Sequence, residues 1–256
     1  MALDLNPVTT SETDFIAPAA VLWDMDGTLV DTEPYWMQAE TDLVESFGGT
    51  WTHDDCMMLV GSGLWTSATI LQDHGVDMEA DAIVEWLTAR VQLQLSEQGV
   101  PWRPGARELL VQLKDAGIPT ALVTMSMLSM AQQVADLVGF PAFDTIVSGD
   151  MVTHSKPHPE AYLAAATTLG VDPEHCIAIE DSVPGVAAGV ASGAITVAVP
   201  HQIPLPESAL YSLWPTLHGR TVADLATLYS DRHGAHERAK AAISHHVKTT
   251  TESATL

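Results

Sequence analysis

The stretch that most constrains this chain is 21–33, VLWDMDGTLVDTE. An apolar run, 19–23, ends in two carboxylates one residue apart, Asp24 and Asp26, and a Gly27-Thr28 pair comes next. A short apolar run before glycine reads as a buried strand entering a loop. The strand's period of two places Asp24 and Asp26 on the same side of the chain. Two like charges held that close are costly unless a cation or a shared proton relieves them. An isolated Asp-x-Asp is more often a solvated acidic turn, so the rest of the chain has to decide.

Beyond residue 34 the apolar periodicity becomes helical. Helical patterns cover 35–47, 66–71 and 80–95, separated by Gly48-Gly49, Gly61-Ser62-Gly63 and Gly75. Pro101 and Pro104 then interrupt. From there the chain alternates: helix 107–116, strand 119–124, helix 128–138, strand 145–147, helix 160–169, strand 176–179, helix 185–191, strand 195–199. Strands separated by helices imply βαβ units and a parallel sheet. The expected organisation is an α/β core, 1–33 with 103–256, interrupted by a small all-helical unit at 34–102. In such sheets ligands sit beyond the carboxyl ends of the strands. Those ends carry Asp24/Asp26, Thr124, Ser148–Asp150 and Glu180/Asp181, a convergence that raises the first motif above a solvated turn.

Charge removes several function classes. With 33 acidic against 10 basic residues the formal charge is −23, which repels nucleic acid and anionic membrane. Lysine is scarce enough to be informative: before residue 220 only Lys114 and Lys156 occur. No stretch approaches the roughly 20 apolar residues that span a bilayer. The first 17 residues are polar and read as a loose extension without a cationic, hydrophobic leader. Cys56 and Cys176 are far apart and lack CxxC spacing, so a cytoplasmic setting is expected. Residues 221–247 have helical character and carry His233, His236, His245 and His246, read as a solvated face. A monomer is compatible with the sequence, which leaves the oligomeric state open.

Asp24-Met25-Asp26-Gly27-Thr28, Thr124 after an apolar strand, Lys156-Pro157, and Glu180-Asp181-Ser182 with Gly185 beyond resemble the four ordered motifs of the haloacid dehalogenase-like hydrolase superfamily. The resemblance covers about residues 19–200. It implies a Rossmann-like core with a helical cap inserted after the first motif, matching 34–102. It also implies roles. Asp24 is the nucleophile that becomes an aspartyl-phosphate. Asp26 protonates the leaving oxygen and then deprotonates water. Mg²⁺ sits on Asp24, the Met25 carbonyl, Asp26 and Asp181, with Glu180 as ligand or outer acceptor. Thr124, Met125, Ser126 and Gly27 hold the phosphate, Lys156 balances its charge, and Trp36 and Gly61 face the site from the cap.

Within the family, the second aspartate argues against haloalkanoic dehalogenases and phosphonatases, leaving phosphatases and phosphomutases. Residues 34–102 contain one cation, Arg90, against eleven carboxylates, a poor lid for a second phosphate. DTEPYW resembles the DxEP-W stretch of sugar-phosphate phosphatases. The expectation is therefore Mg²⁺-dependent hydrolysis of a small sugar- or polyol-like monophosphate. The alternatives are a β-phosphoglucomutase-like phosphomutase and a non-catalytic phosphate- or metal-binding regulator.

Overall fold

The computed structural model describes residues 16–234. Six strands, β1 (Ala20–Trp23), β2 (Thr120–Val123), β3 (Thr145–Val147), β4 (Cys176–Glu180), β5 (Ile195–Ala198) and β6 (Tyr211–Leu213), form one sheet in the order β3-β2-β1-β4-β5-β6. Every pairing is parallel. β1, β2 and β4 are buried at every position, as their apolar runs AVLW, ALV and CIAI require of strands covered on both faces. The chain builds outward from β1 through β2 to β3, then crosses to β4 on the other side of β1. The crevice at that reversal is where a doubly wound sheet opens to a ligand, and it lies at the end of β1.

Helices α1 (Glu33–Ser46), α2 (His53–Met57), α3 (Leu64–Asp73) and α4 (Ala80–Gln98) occupy the stretch between β1 and α5 (Ala106–Asp115). Leu43, Val44, Leu71, Ile83, Leu87, Val91 and Leu95 bury their sides against one another and join the apolar cluster that contains Trp23, Ile177 and Ile179. The helices leave and rejoin the sheet at one place. Val30 and Trp102 form an antiparallel bridge, Asp31 N–H donates to the Pro101 carbonyl at 2.7 Å, and Arg103 N–H donates to the Leu29 carbonyl at 3.0 Å. The remaining helices, α6 (Leu128–Leu137), α7 (Glu160–Leu169) and α8 (Val183–Ala191), cover the sheet as crossovers.

Sequence pattern and structure differ in two places. The pattern predicts no helix where α2 forms. Thr52 begins that helix by accepting from Asp55 N–H while the Asp55 carboxylate accepts from Thr52 N–H, and the capped turn is too short to leave a periodic signal. β6 is three residues long, partly exposed at the sheet edge, and has no apolar run. Residues 222–234 are helical, whereas His236, His245, His246 and the expected extension at 1–15 lie outside the described residues. Among the described residues no helix is long and apolar enough to cross a membrane, and Cys56 and Cys176 are free and buried.

Candidate active site

β1 ends at Trp23, which delivers Asp24 to the crevice. Lys156, from the loop ahead of α7, points its ammonium into the same place. Its Nζ donates to Asp24 Oδ1 and to Glu180 Oε1, each at 2.6 Å, and to the Val123 carbonyl at 3.0 Å. The ammonium is almost wholly enclosed. Burial alone would lower its pKa, but the charges of Asp24 and Glu180 override that and raise it. Asp24 is raised to about 7, first by burial and then by Glu180, with Lys156 opposing. Asp181 is also raised well above the usual carboxylate range, by burial first and then by Asp24 and Glu180. Three carboxylates thus share one cation in a buried site.

Glu180 is engaged on both oxygens. Oε1 accepts from Lys156 and from the Tyr162 hydroxyl at 2.6 Å, and Oε2 accepts from Asp181 N–H at 3.3 Å and Ser182 Oγ at 3.4 Å. Asp181 Oδ1 accepts from Thr28 Oγ1 at 3.3 Å. Gly27, at φ +84°, lets the loop fold onto Asp181: a Cβ there would stand 2.0 Å from Asp181 Oδ2.

The set fits a hard divalent cation. Asp24, Glu180 and Asp181 each bring an oxygen within 4.8 Å of the others. Asp24 Oδ2 is buried without any partner, an omission that is costly unless something else meets it. An all-oxygen donor set of this kind suits Mg²⁺.

Asp26 stands apart from this group. Its Oδ1 accepts from Thr32 Oγ1 and, at 3.1 Å, from Trp36 Nε1 on α1. Its Oδ2 accepts from Thr124 Oγ1 at 3.2 Å and Ser126 Oγ at 2.7 Å. The four donors fix the side chain between α1 and the end of β2. Among the expected ligands, then, Asp26 is turned towards the helices, and Thr124 and Ser126 are grouped with it. Ser126 N–H also donates to Thr124 Oγ1 at 3.0 Å. Met125 gives its sulfur to Lys156 N–H at 3.3 Å.

A cavity of about 80 Å³ joins these groups to the helical insertion. Asp24, Asp26, Thr124, Met125, Ser126, Lys156 and Asp181 form its sheet end. Trp36, Leu59, Gly61, Leu64 and Leu87 form its walls. Gly61 also lies against the α8 entry, where a Cβ would meet Ser182 and Pro184 at 3.2–3.3 Å. Glu33, Glu40 and Ser67 also line it; Glu33 falls in the DTEPYW stretch but was given no role there, and Glu40 and Ser67 lie outside the sequence motifs. Glu33, Trp36 and Glu40 fall at i, i+3 and i+7 on α1, one helix face, a spacing that could have found them. Burial, then neighbouring carboxylates, raises Glu33 to about 8. Burial raises Glu40 to about 7 against the hydrogen bonds of Trp51 and Cys56. Tyr162 is equally silent in the sequence, because a tyrosine in an alanine-rich helix reads as core.

A family model described as haloacid dehalogenase-like hydrolase matches residues 18–193. Hexitol phosphatase B of Escherichia coli is 33% identical over 192 residues, covering 71% of this chain and 83% of that protein. The phosphorylated carbohydrates phosphatase of Thermotoga maritima is 33% identical over 178 residues, covering 68% of this chain and 81% of its own length. The crystal structure of CbbY from Rhodobacter sphaeroides in complex with phosphate superposes with a TM-score of 0.75 at 28% identity, over 81% of this chain and 99% of that one. The chain belongs to the haloacid dehalogenase-like hydrolase family.

Proposed function

We propose that this protein is a Mg²⁺-dependent phosphatase that hydrolyses a small sugar- or polyol-phosphate monoester through an aspartyl-phosphate on Asp24. The observation that carries the reading is the state of Asp24: Oδ1 is pinned by Lys156 while Oδ2 is buried with no partner. Held by Lys156 through one oxygen, the carboxylate is oriented, and the other oxygen, meeting no protein group, is left for the cation or the phosphoryl group. Asp24 would attack phosphorus as Asp26, protonated once Thr124 and Ser126 turn their hydroxyls from it to the phosphate, gives that proton to the departing alcohol oxygen. Asp26 would then take a proton from the water that opens the acyl-phosphate. Lys156 balances the charge on Asp24 and the phosphoryl group in both steps. Thr124 and Ser126, with the Met125 and Ser126 amides, would take the phosphate oxygens. Asp24, the Met25 carbonyl and Asp181 would hold Mg²⁺, with Glu180 orienting Lys156 from behind. Bound there, the cation lets a carboxylate and a phosphate approach despite their like charge.

Helices α1–α4 act as a cap that closes the leaving-group end. Among the described residues that line the cavity, Lys156 is the sole cation. A second phosphate on the substrate would meet carboxylates, which favours hydrolysis over a bisphosphate-handling mutase. The phosphatase names of the Escherichia coli and Thermotoga relatives support a polyol or carbohydrate leaving group. A cytoplasmic setting suits the two buried free thiols.

The test is a phosphate-release screen over sugar, polyol, glycolate and nucleotide monophosphates, with Mg²⁺ and with EDTA, beside a mutase control. Mg²⁺-dependent release from carbohydrate esters is expected. No release from any ester, or isomerisation faster than release, would overturn the reading.

A further inference from the structure

We propose that Glu40 is the specificity-determining residue of the cavity, accepting hydrogen bonds from the distal hydroxyls of an uncharged polyol leaving group. This rests on the phosphatase reading above and names which residue selects among esters.

Beyond the residues at the β1 end, the polar side chains that line the cavity are Glu33, Glu40, Ser62, Ser67 and Ser182. Among the described residues, neither the Glu33 carboxylate nor the Ser67 hydroxyl has a hydrogen-bond partner in the protein. Glu40 is 6% exposed and receives the Trp51 indole N–H at a long 3.4 Å, with Cys56 beside it. A carboxylate has about four acceptor positions, so a weak indole bond and a thiol leave capacity unused. Buried acceptors in that condition call for donors. The apolar walls, Trp36, Leu59, Val60, Leu64 and Leu87, supply no side-chain donor except the indole already given to Asp26.

The ligand that supplies donors without bringing negative charge is a chain of hydroxyls. The face of α1 gives it a track. Glu33 lies towards the Asp26 end, Trp36 donates to Asp26, and Glu40 lies one turn further on. At 1.5 Å per residue the track from Glu33 to Glu40 is roughly 10 Å long, the scale of a short open-chain polyol phosphate. A leaving group that ends before Glu40, or carries no hydroxyl, gains nothing there.

The test compares kcat/KM for a linear hexitol monophosphate with that for p-nitrophenyl phosphate, whose leaving group has no hydroxyl donors as an ester. Glu40→Leu should lower the hexitol/nitrophenyl ratio at least tenfold, mainly through KM, as loss of hydrogen bonds to a buried acceptor implies. Glu40→Gln keeps an acceptor oxygen in the same shape and should hold the ratio within about threefold. A ratio unmoved by Leu, or both esters falling together, would mean that Glu40 only packs the cap, and the inference is lost. If the unaltered protein hydrolyses neither ester with Mg²⁺, the phosphatase reading fails first and takes this inference with it.

Discussion

Replacing Lys156 by methionine removes a cation from a place where three carboxylates depend on it. Methionine preserves much of the side chain's volume, so the change is chiefly electrostatic. Two bonds of 2.6 Å, to Asp24 and Glu180, disappear together. Removing one partner of a buried ion pair costs about 3–5 kcal/mol. An independent ceiling comes from protonation, since the stranded carboxylate can neutralise itself. At pH 7.5 that costs roughly 5 kcal/mol for a group of ordinary pKa near 4. At pH 5 the same step costs about 1.4 kcal/mol. The expected loss is therefore about 3–5 kcal/mol at pH 7.5, shrinking to 1–2 kcal/mol at pH 5. The sign comes from the carboxylates: Asp24 is already raised to about 7, and without Lys156 it rises further. A raised acid stabilises the folded state below its unfolded pKa and loses that contribution as pH climbs through the folded one. Urea unfolding of both proteins in EDTA, at the two pH values, measures the difference. A penalty below about 1 kcal/mol at pH 7.5, or one that does not change with pH, would refute the reasoning. Turnover should fall by a factor of at least about 100, the scale of losing a preorganised charge partner.

Asp24→Asn should abolish turnover of every phosphate ester while leaving the fold intact; near-normal phosphate release would remove the nucleophile assignment. Gly27→Ala should displace Asp181, because the new methyl carbon would fall 2.0 Å from its Oδ2 at a φ of +84°. Its Mg²⁺ activation curve should shift to higher concentration by tenfold or more, and an unchanged curve would exclude Asp181 as a ligand. Glu40 is raised to about 7 by burial, so ionising it costs stability as pH rises from about 4.5 through 7. Glu40→Gln should therefore raise the melting temperature at pH 8 and leave it nearly unchanged at pH 4.5; equal shifts at both pH values would contradict the burial argument.

The alternation of strands and helices was legible because each element is long enough for its period to show. The gathering of Asp24, Thr124, Lys156, Glu180 and Asp181 was legible for a topological reason: parallel strands end on one side. The orientation of Asp26 was not. A period of two places its Cβ, but the carboxylate is turned by Thr32, Trp36, Thr124 and Ser126, two of which are about a hundred residues away. Glu40 is hidden among the eleven carboxylates of residues 34–102, which in sequence look like one diffuse charge. Only burial separates it from the solvated ones. Tyr162 shows no polar signal because its hydroxyl spends itself on Glu180 beneath the surface. β6 is an edge strand whose pairing with β5, not its own residues, makes it a strand.

The paired crossings at Val30–Trp102, Asp31–Pro101 and Leu29–Arg103 have an architectural consequence. Entry and exit of α1–α4 are stitched side by side, so the sheet experiences the whole insertion as though it were a single tight turn. Exchanging the intervening helices for those of a relative would cut the polypeptide at two adjoining points and leave every strand pairing untouched. On the phosphatase reading proposed above, chemistry and selectivity would be inherited separately, and a transplant across that seam should carry substrate preference with it.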